Sequence, residues 1–133
     1  MAFVVDNSVV MAWLSEHQAT DYTRRLSTRA RREAMHAPAV WPLELANALV
    51  NLERRGRLRS DQADVLIAKA QRLGIIIDPA PLSPAAILAW SRRSNLAAYD
   101  AAYLELASRA GWPLATRDTD QRAAAQRLGI ALA

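Results

Sequence analysis

Hydrophobic positions fall in short blocks separated by polar turns. Residues 2–5 form a continuous apolar run ending at Asp6, the pattern of a strand covered on both faces. Asn7 or Ser8 can cap a helix that starts at once, with Val9, Val10, Trp13 and Leu14 on its inner side. Between Glu16 and Glu33, Leu26 and Ala30 sit among Arg24, Arg25, Arg29, Arg31 and Arg32, which predicts a largely exposed helix. A short strand or extended piece is expected over 37–40. A helix over 43–55 follows, with the stripe Leu45, Ala46, Leu49, Val50 and Leu52, and Gly56 ends it. Ser60 caps the next helix, over 61–73, which stops at Gly74.

Ile75, Ile76 and Ile77 read as a second buried strand, closed by Asp78 and Pro79. Ser83 followed by Pro84 marks a helix start with proline at the first helical position, and this helix runs to about Arg93. Asn95 or the residues just after it begin another helix, which ends at Gly111. A short strand is expected over 113–116. Thr119 or Asp120 then caps a helix to Leu128, Gly129 stops it, and 130–132 forms a final strand. Strands alternating with helices predict an α/β fold with a mainly parallel sheet. The length of 133 residues fits a single domain over 1–133 that folds without disulfides or a structural metal. Neither a signal peptide nor an apolar run near membrane-spanning length is present, so a cytoplasmic location is expected.

Composition narrows the chemistry. There is no cysteine, which removes thiol nucleophiles, iron–sulfur centres and Cys-ligated zinc. Lys+Arg is 17 against 13 Asp+Glu, a formal charge of +4, and Lys69 is the only lysine. Arginine makes bidentate contacts to phosphate and stacks on bases, so a nucleic-acid partner enters consideration beside the plainer reading of a solvated surface. The clusters are Arg24/Arg25/Arg29/Arg31/Arg32, Arg54/Arg55/Arg57/Arg59 and Arg92/Arg93; Arg92 and Arg93, shortly before Asp100, are the preferred pair for RNA phosphates. His17 and His36 have no Ser or Asp pattern around them and read as surface or packing residues. The glycines are isolated, and neither GxGxxG nor a P-loop is present. Tyr99 and Tyr103 could stack bases but read first as core or dimer packing, and the four tryptophans read as packing.

The acids carry the signal. Ligands of open parallel sheets bind beyond the carboxyl ends of the strands. Asp6 ends the first strand, and Asp118 follows the strand over 113–116, with Thr116 before it and Asp120 after it. Glu44 and Asp100 interrupt apolar helix starts. Each could be only a cap or a turn residue, and Ser8 and Thr116 could be caps or donors that orient a carboxylate. Should the four acids converge, their repulsion would call for a divalent cation, and oxygen-only ligands select Mg²⁺ or Mn²⁺. Such a site can hydrolyse phosphodiesters. A receiver-like module that accepts phosphate on aspartate would instead want a lysine after a late strand, and Lys69 lies mid-helix.

Val4-Val-Asp6-Asn-Ser8, Pro42-Leu-Glu44-Leu-Ala-Asn-Ala48, Ala98-Tyr-Asp100-Ala-Ala-Tyr103 and Leu114-Ala-Thr-Arg-Asp118 together resemble the four acidic motifs of PIN-domain ribonucleases. The nearest type is the VapC-like toxin of type II toxin–antitoxin pairs, and the resemblance spans essentially the whole chain. It implies a three-layer α/β/α fold and a catalytic quartet of Asp6, Glu44, Asp100 and Asp118, with Asp6, Asp100 and Asp118 at Mg²⁺ or Mn²⁺. Asp120 would be an auxiliary acid, and Ser8 and Thr116 would support the first and last acids. Metal-dependent cleavage of RNA (structured RNA such as tRNA or rRNA), a homodimer and a VapB-type antitoxin are implied too, with operator DNA reached only through the antitoxin. Asn7 stands where small residues are common in the family.

Overall fold

A computed structural model describes residues 1–133. Four strands, β1 (Ala2–Val5), β2 (Ala34–Ala37), β3 (Ile76–Ile77) and β4 (Leu114–Ala115), form one sheet in the order β3-β2-β1-β4. Every pairing is parallel, with Val4 of β1 opposite both His36 and Leu114. The helices are α1 (Asn7–Leu14), α2 (Asp21–Arg29), α3 (Trp41–Arg54), α4 (Ser60–Gln71), α5 (Pro84–Ser94), α6 (Ala98–Ala110) and α7 (Thr119–Arg127). They sort into two groups. The first is α1 with α2, α3 and α4; the second is α6 with α5 and α7, and α6 also packs on β1.

Successive strand residues point to opposite faces. Phe3, Val4 and Val5 are all fully buried, so both faces of β1 are covered and the architecture is a three-layer α/β/α sandwich. Val9 and Val10 of α1 and Tyr103, Leu104 and Leu106 of α6 complete the centre of the core. The chain extends from β1 through β2 to β3 on one side and returns to place β4 on the other. That change of direction between β1 and β4 is the topological switch point, where an open parallel sheet leaves a crevice at its carboxyl edge.

The structure corrects several expected boundaries. The segment from Glu16 to Glu33 is not one helix: a 3₁₀ turn, Glu16–Gln18, precedes α2. Thr20 and Thr23 cap α2 reciprocally, which fixes a new start inside the arginine-rich stretch. The strand expected over 37–40 lies three residues earlier, because pairing of Ala2 with Ala34 sets its register while only Met35 and Ala37 are buried. The run at 75–77 is an edge strand rather than a buried one, with Ile76 47% exposed. The strand expected over 130–132 shrinks to a single bridge between Leu114 and Leu132. Asn95 does not start α6; it ends α5 in the left-handed conformation, at φ 59°, which asparagine tolerates. The caps also shift by one residue, since Asp6 rather than Asn7 or Ser8 caps α1 and Asp118 rather than Thr119 or Asp120 caps α7.

Candidate active site

Because the strands are parallel, the residues after them share one edge. Asp6 follows β1 there, and Thr116 and Asp118 follow β4. Glu44 lies in the first turn of α3, Asp100 in that of α6 and Asp120 in that of α7. Each acid therefore stands at a helix N-terminus, where the macrodipole favours negative charge.

Asp6 is only 5% exposed. Its Oδ2 accepts from the Ser8 backbone N–H at 3.0 Å, and the Thr116 hydroxyl lies 3.3 Å from the same oxygen. Ser8 thus supports Asp6 through its backbone, while its hydroxyl accepts from the Arg117 N–H at 3.0 Å and lies 3.4 Å from Thr116 Oγ1. Asp118 Oδ1 accepts from Gln121 N–H at 2.7 Å, closing the cap of α7. Asn7 Oδ1 takes the indole N–H of Trp41 at 3.1 Å, which ties the start of α1 to the start of α3.

The charges act on one another. Burial raises the Asp100 carboxyl to about 6, and Asp6, Asp118 and Asp120 push in the same direction. Burial also lifts Glu44 to about 7; the Tyr103 hydrogen bond opposes this, and Asp6 and Asp100 add to it. Asp6, Asp118 and Asp120 act on Asp100, and Asp6 and Asp100 act on Glu44, so these acids lie within electrostatic reach of one another at the carboxyl edge of the sheet. The carboxylates do not form a closed ligand shell, since no three acidic or histidine side chains stand close enough together to hold one ion as placed.

The Tyr103 hydroxyl donates to Glu44 Oε1 at 2.7 Å from a fully buried ring. Burial foremost, then Asp6 and Glu44, push its own ionisation far up, so it stays a donor. Tyr103→Phe is expected to cost about 1–3 kcal/mol, the usual range when a buried polar partner is left unsatisfied. Urea unfolding measures that cost, and an NMR titration should show Glu44 holding its proton to still higher pH.

Arg92 and Arg93, the expected phosphate contacts, lie exposed in the last turn of α5. The Arg93 guanidinium sits 4.4 Å from the Trp90 ring centre, and neither arginine forms an ion pair. Nothing joins them to the acids. His36 stacks on Trp112, with ring centres 4.1 Å apart, in keeping with a packing role.

With this geometry in place, comparison with known proteins is decisive. The PIN domain family profile matches residues 3–127. The chain belongs to the PIN-domain family. Ribonuclease VapC3 of Mycobacterium tuberculosis is 36% identical over 121 residues, spanning 91% of this chain and 84% of the relative. This PIN domain is therefore of the VapC type. Among solved structures, PAE2754 from Pyrobaculum aerophilum superposes with a TM-score of 0.70 at 26% identity, covering 93% of this chain and 79% of that one. VapBC2 from Rickettsia felis, solved bound to a DNA fragment from their promoter, gives 0.69 at 11% identity, covering 100% and 98%. FitAcB from Neisseria gonorrhoeae gives 0.67 at 20%, covering 99% and 96%. The last two show the fold alone.

Two arginines that the sequence reading passed over flank the acids of this PIN domain. Arg117 Nη1 donates to the Ser8 carbonyl at 3.3 Å and to Gln18 Oε1 at 3.2 Å. Arg122 Nη1 donates to the Thr116 carbonyl at 3.0 Å while its guanidinium lies 5.0 Å from the Tyr22 ring centre. Their positions immediately before and four residues after Asp118 were the available signal. A groove of about 520 Å³, lined by Asn7, Val40, Leu43, Glu44, Asn47 and Tyr99 among others, opens beside Glu44. No helix is long and apolar enough to cross a membrane.

Proposed function

We propose that this PIN domain, acting as one domain over the whole chain, is a divalent-metal-dependent endoribonuclease and the toxin of a type II toxin–antitoxin pair. The observation that carries the reading is the placement of Asp6, Glu44, Asp100, Asp118 and Asp120 at strand ends and helix starts along the carboxyl edge of the sheet. The donor set is all oxygen and strongly anionic, which fits Mg²⁺ or Mn²⁺. Asp6, Asp100 and Asp118 would hold the ion, with Asp120 as an auxiliary acid. The cation would supply Lewis-acid stabilisation of charge developing on the phosphodiester.

The chain's own residues do the rest. The Ser8 N–H fixes Asp6 Oδ2, and the Thr116 hydroxyl lies 3.3 Å from the same oxygen. Glu44, at about 7, can take up a proton near neutral pH, and Tyr103 orients the oxygen that does not receive it. Arg117 and Arg122, on either side of Asp118 along the chain, supply positive charge for an approaching phosphate. Leu43 and Tyr99, 71% and 62% exposed, form an apolar rim beside Glu44 of the kind a protein partner covers. A VapB-type antitoxin fits that partner, and operator DNA would be reached through it. A homodimer and a cytoplasmic location complete the reading.

Purified protein incubated with Mg²⁺ or Mn²⁺ and a panel of structured RNAs and total RNA tests it. Cleavage at defined positions, stopped by EDTA, is expected. A chain that binds Mn²⁺ in a titration but cuts no RNA would instead be a scaffold that keeps the fold without the activity.

A further inference from the structure

Gln121 is fully buried in the first turn of α7, three residues after Asp118. A buried primary amide must place an acceptor and two donors, and here each has a partner. The Thr116 hydroxyl lies 2.6 Å from Gln121 Oε1 and 3.3 Å from Asp6 Oδ2. It has one proton to give, and the shorter contact takes it. Thr116 Oγ1 in turn accepts from the Asp118 N–H at 3.1 Å.

An amide oxygen that accepts from Thr116 sends Nε2 the other way. It lies 3.2 Å from the Asp100 main-chain carbonyl and 3.5 Å from Asp6 Oδ1. The Gln121 backbone N–H meanwhile holds Asp118 Oδ1 at 2.7 Å. One residue thus reaches the end of β1, the first turn of α6 and the cap of α7. Glutamate would be a poor substitute, because an ionised carboxylate only accepts and would face Asp6 and a carbonyl. Methionine would fill the space but leave the Thr116 hydroxyl and the Asp100 carbonyl without their partner.

We propose that Gln121 is a positioning residue that sets the spacing of Asp6, Asp100 and Asp118 and so the readiness of the cluster to take a divalent cation. The proposal rests on the metal-dependent ribonuclease reading above. Its test compares Gln121→Met, Thr116→Val and the double variant with the parent, using Gln126→Met, an exposed site on the same helix, as control. The readouts are Mn²⁺ affinity by calorimetric titration, RNA cleavage and thermal melting.

Gln121→Met is expected to weaken both Mn²⁺ affinity and cleavage by about 10–100-fold, as loss of a partner to a ligating carboxylate typically does. Gln126→Met should leave both unchanged. The double variant should be little worse than the weaker single variant, since both break one chain of hydrogen bonds. Should Gln121→Met melt below the assay temperature, the titration is run on it and on the parent at a lower temperature where both are folded. A folded Gln121→Met with Mn²⁺ affinity within about twofold of the parent overturns the proposal, as do strictly additive losses. A parent chain that binds Mn²⁺ but cuts no RNA overturns the ribonuclease reading alone, because the affinity comparison still decides the role of Gln121. A parent chain that binds no Mn²⁺ overturns both.

Discussion

Asp6→Asn is expected to lower metal-dependent RNA cleavage by more than about 100-fold, beyond the loss typical of an outer partner. The substitution is conservative for the fold. Asparagine caps a helix about as well as aspartate, so α1 keeps its start and the amide oxygen can still accept from the Ser8 N–H. What disappears is one negative charge at the centre of the cluster, on a side chain that water scarcely reaches. A quantitative cleavage assay at saturating Mg²⁺ measures the change, and activity within about tenfold of the parent would remove Asp6 from the proposed chemistry. Asp100→Asn should lose activity similarly. It should also raise the melting temperature of the metal-free protein, because Asp100 is the acid against which three others push.

Mn²⁺ affinity should fall by about tenfold between about pH 8 and about pH 5, and cleavage by on the order of 100-fold or more. Ligating carboxylates must release their protons to bind a cation, so each group costs up to about tenfold per pH unit below its pKa. Asp100, a proposed ligand at about 6, sets the fall in affinity, and Glu44 at about 7, a proposed proton carrier, adds to the fall in cleavage. Metal-free stability should move the opposite way. Both groups hold protons more tightly folded than unfolded, so their contribution is complete at low pH and is lost as pH rises through about 6 and then about 7. His36, whose pKa burial lowers, works against that trend. Melting curves of the parent and Asp100→Asn over the same pH range isolate the carboxyl contribution. Added Mg²⁺ should recover stability near pH 8 and have little effect near pH 5.

The parts of this fold that could be read from the sequence are those with local causes. Residues 2–5 announce a covered strand because every position is apolar, and all four acids stand out because each interrupts an apolar context or ends a strand. The α1 cap could not be read that way. Asp6, Asn7 and Ser8 can all cap, and the choice falls to Asp6 while the Ser8 hydroxyl is taken by Arg117, 109 residues away. The register of β2 was likewise set by its pairing with β1 rather than by its own mixed composition. Tyr103 and Gln121 were hidden for the same reason: their partners, Glu44 and Asp6, lie 59 and 115 residues away along the chain. A glutamine in a polar helix gives no local sign that it will be buried.

The central position of β1 also fixes when the cluster can exist. Its neighbours are β2 and β4, so Asp6 waits for β4 and the Asp118 cap that follows it, both made later. Contacts of such sequence separation form late, and a chain emerging from the ribosome folds from what has already been made. A nascent chain therefore carries an incomplete set of acids until Asp118 has been synthesised. For a protein proposed to cut RNA, the topology keeps the cluster incomplete until β4 and the start of α7 have joined β1.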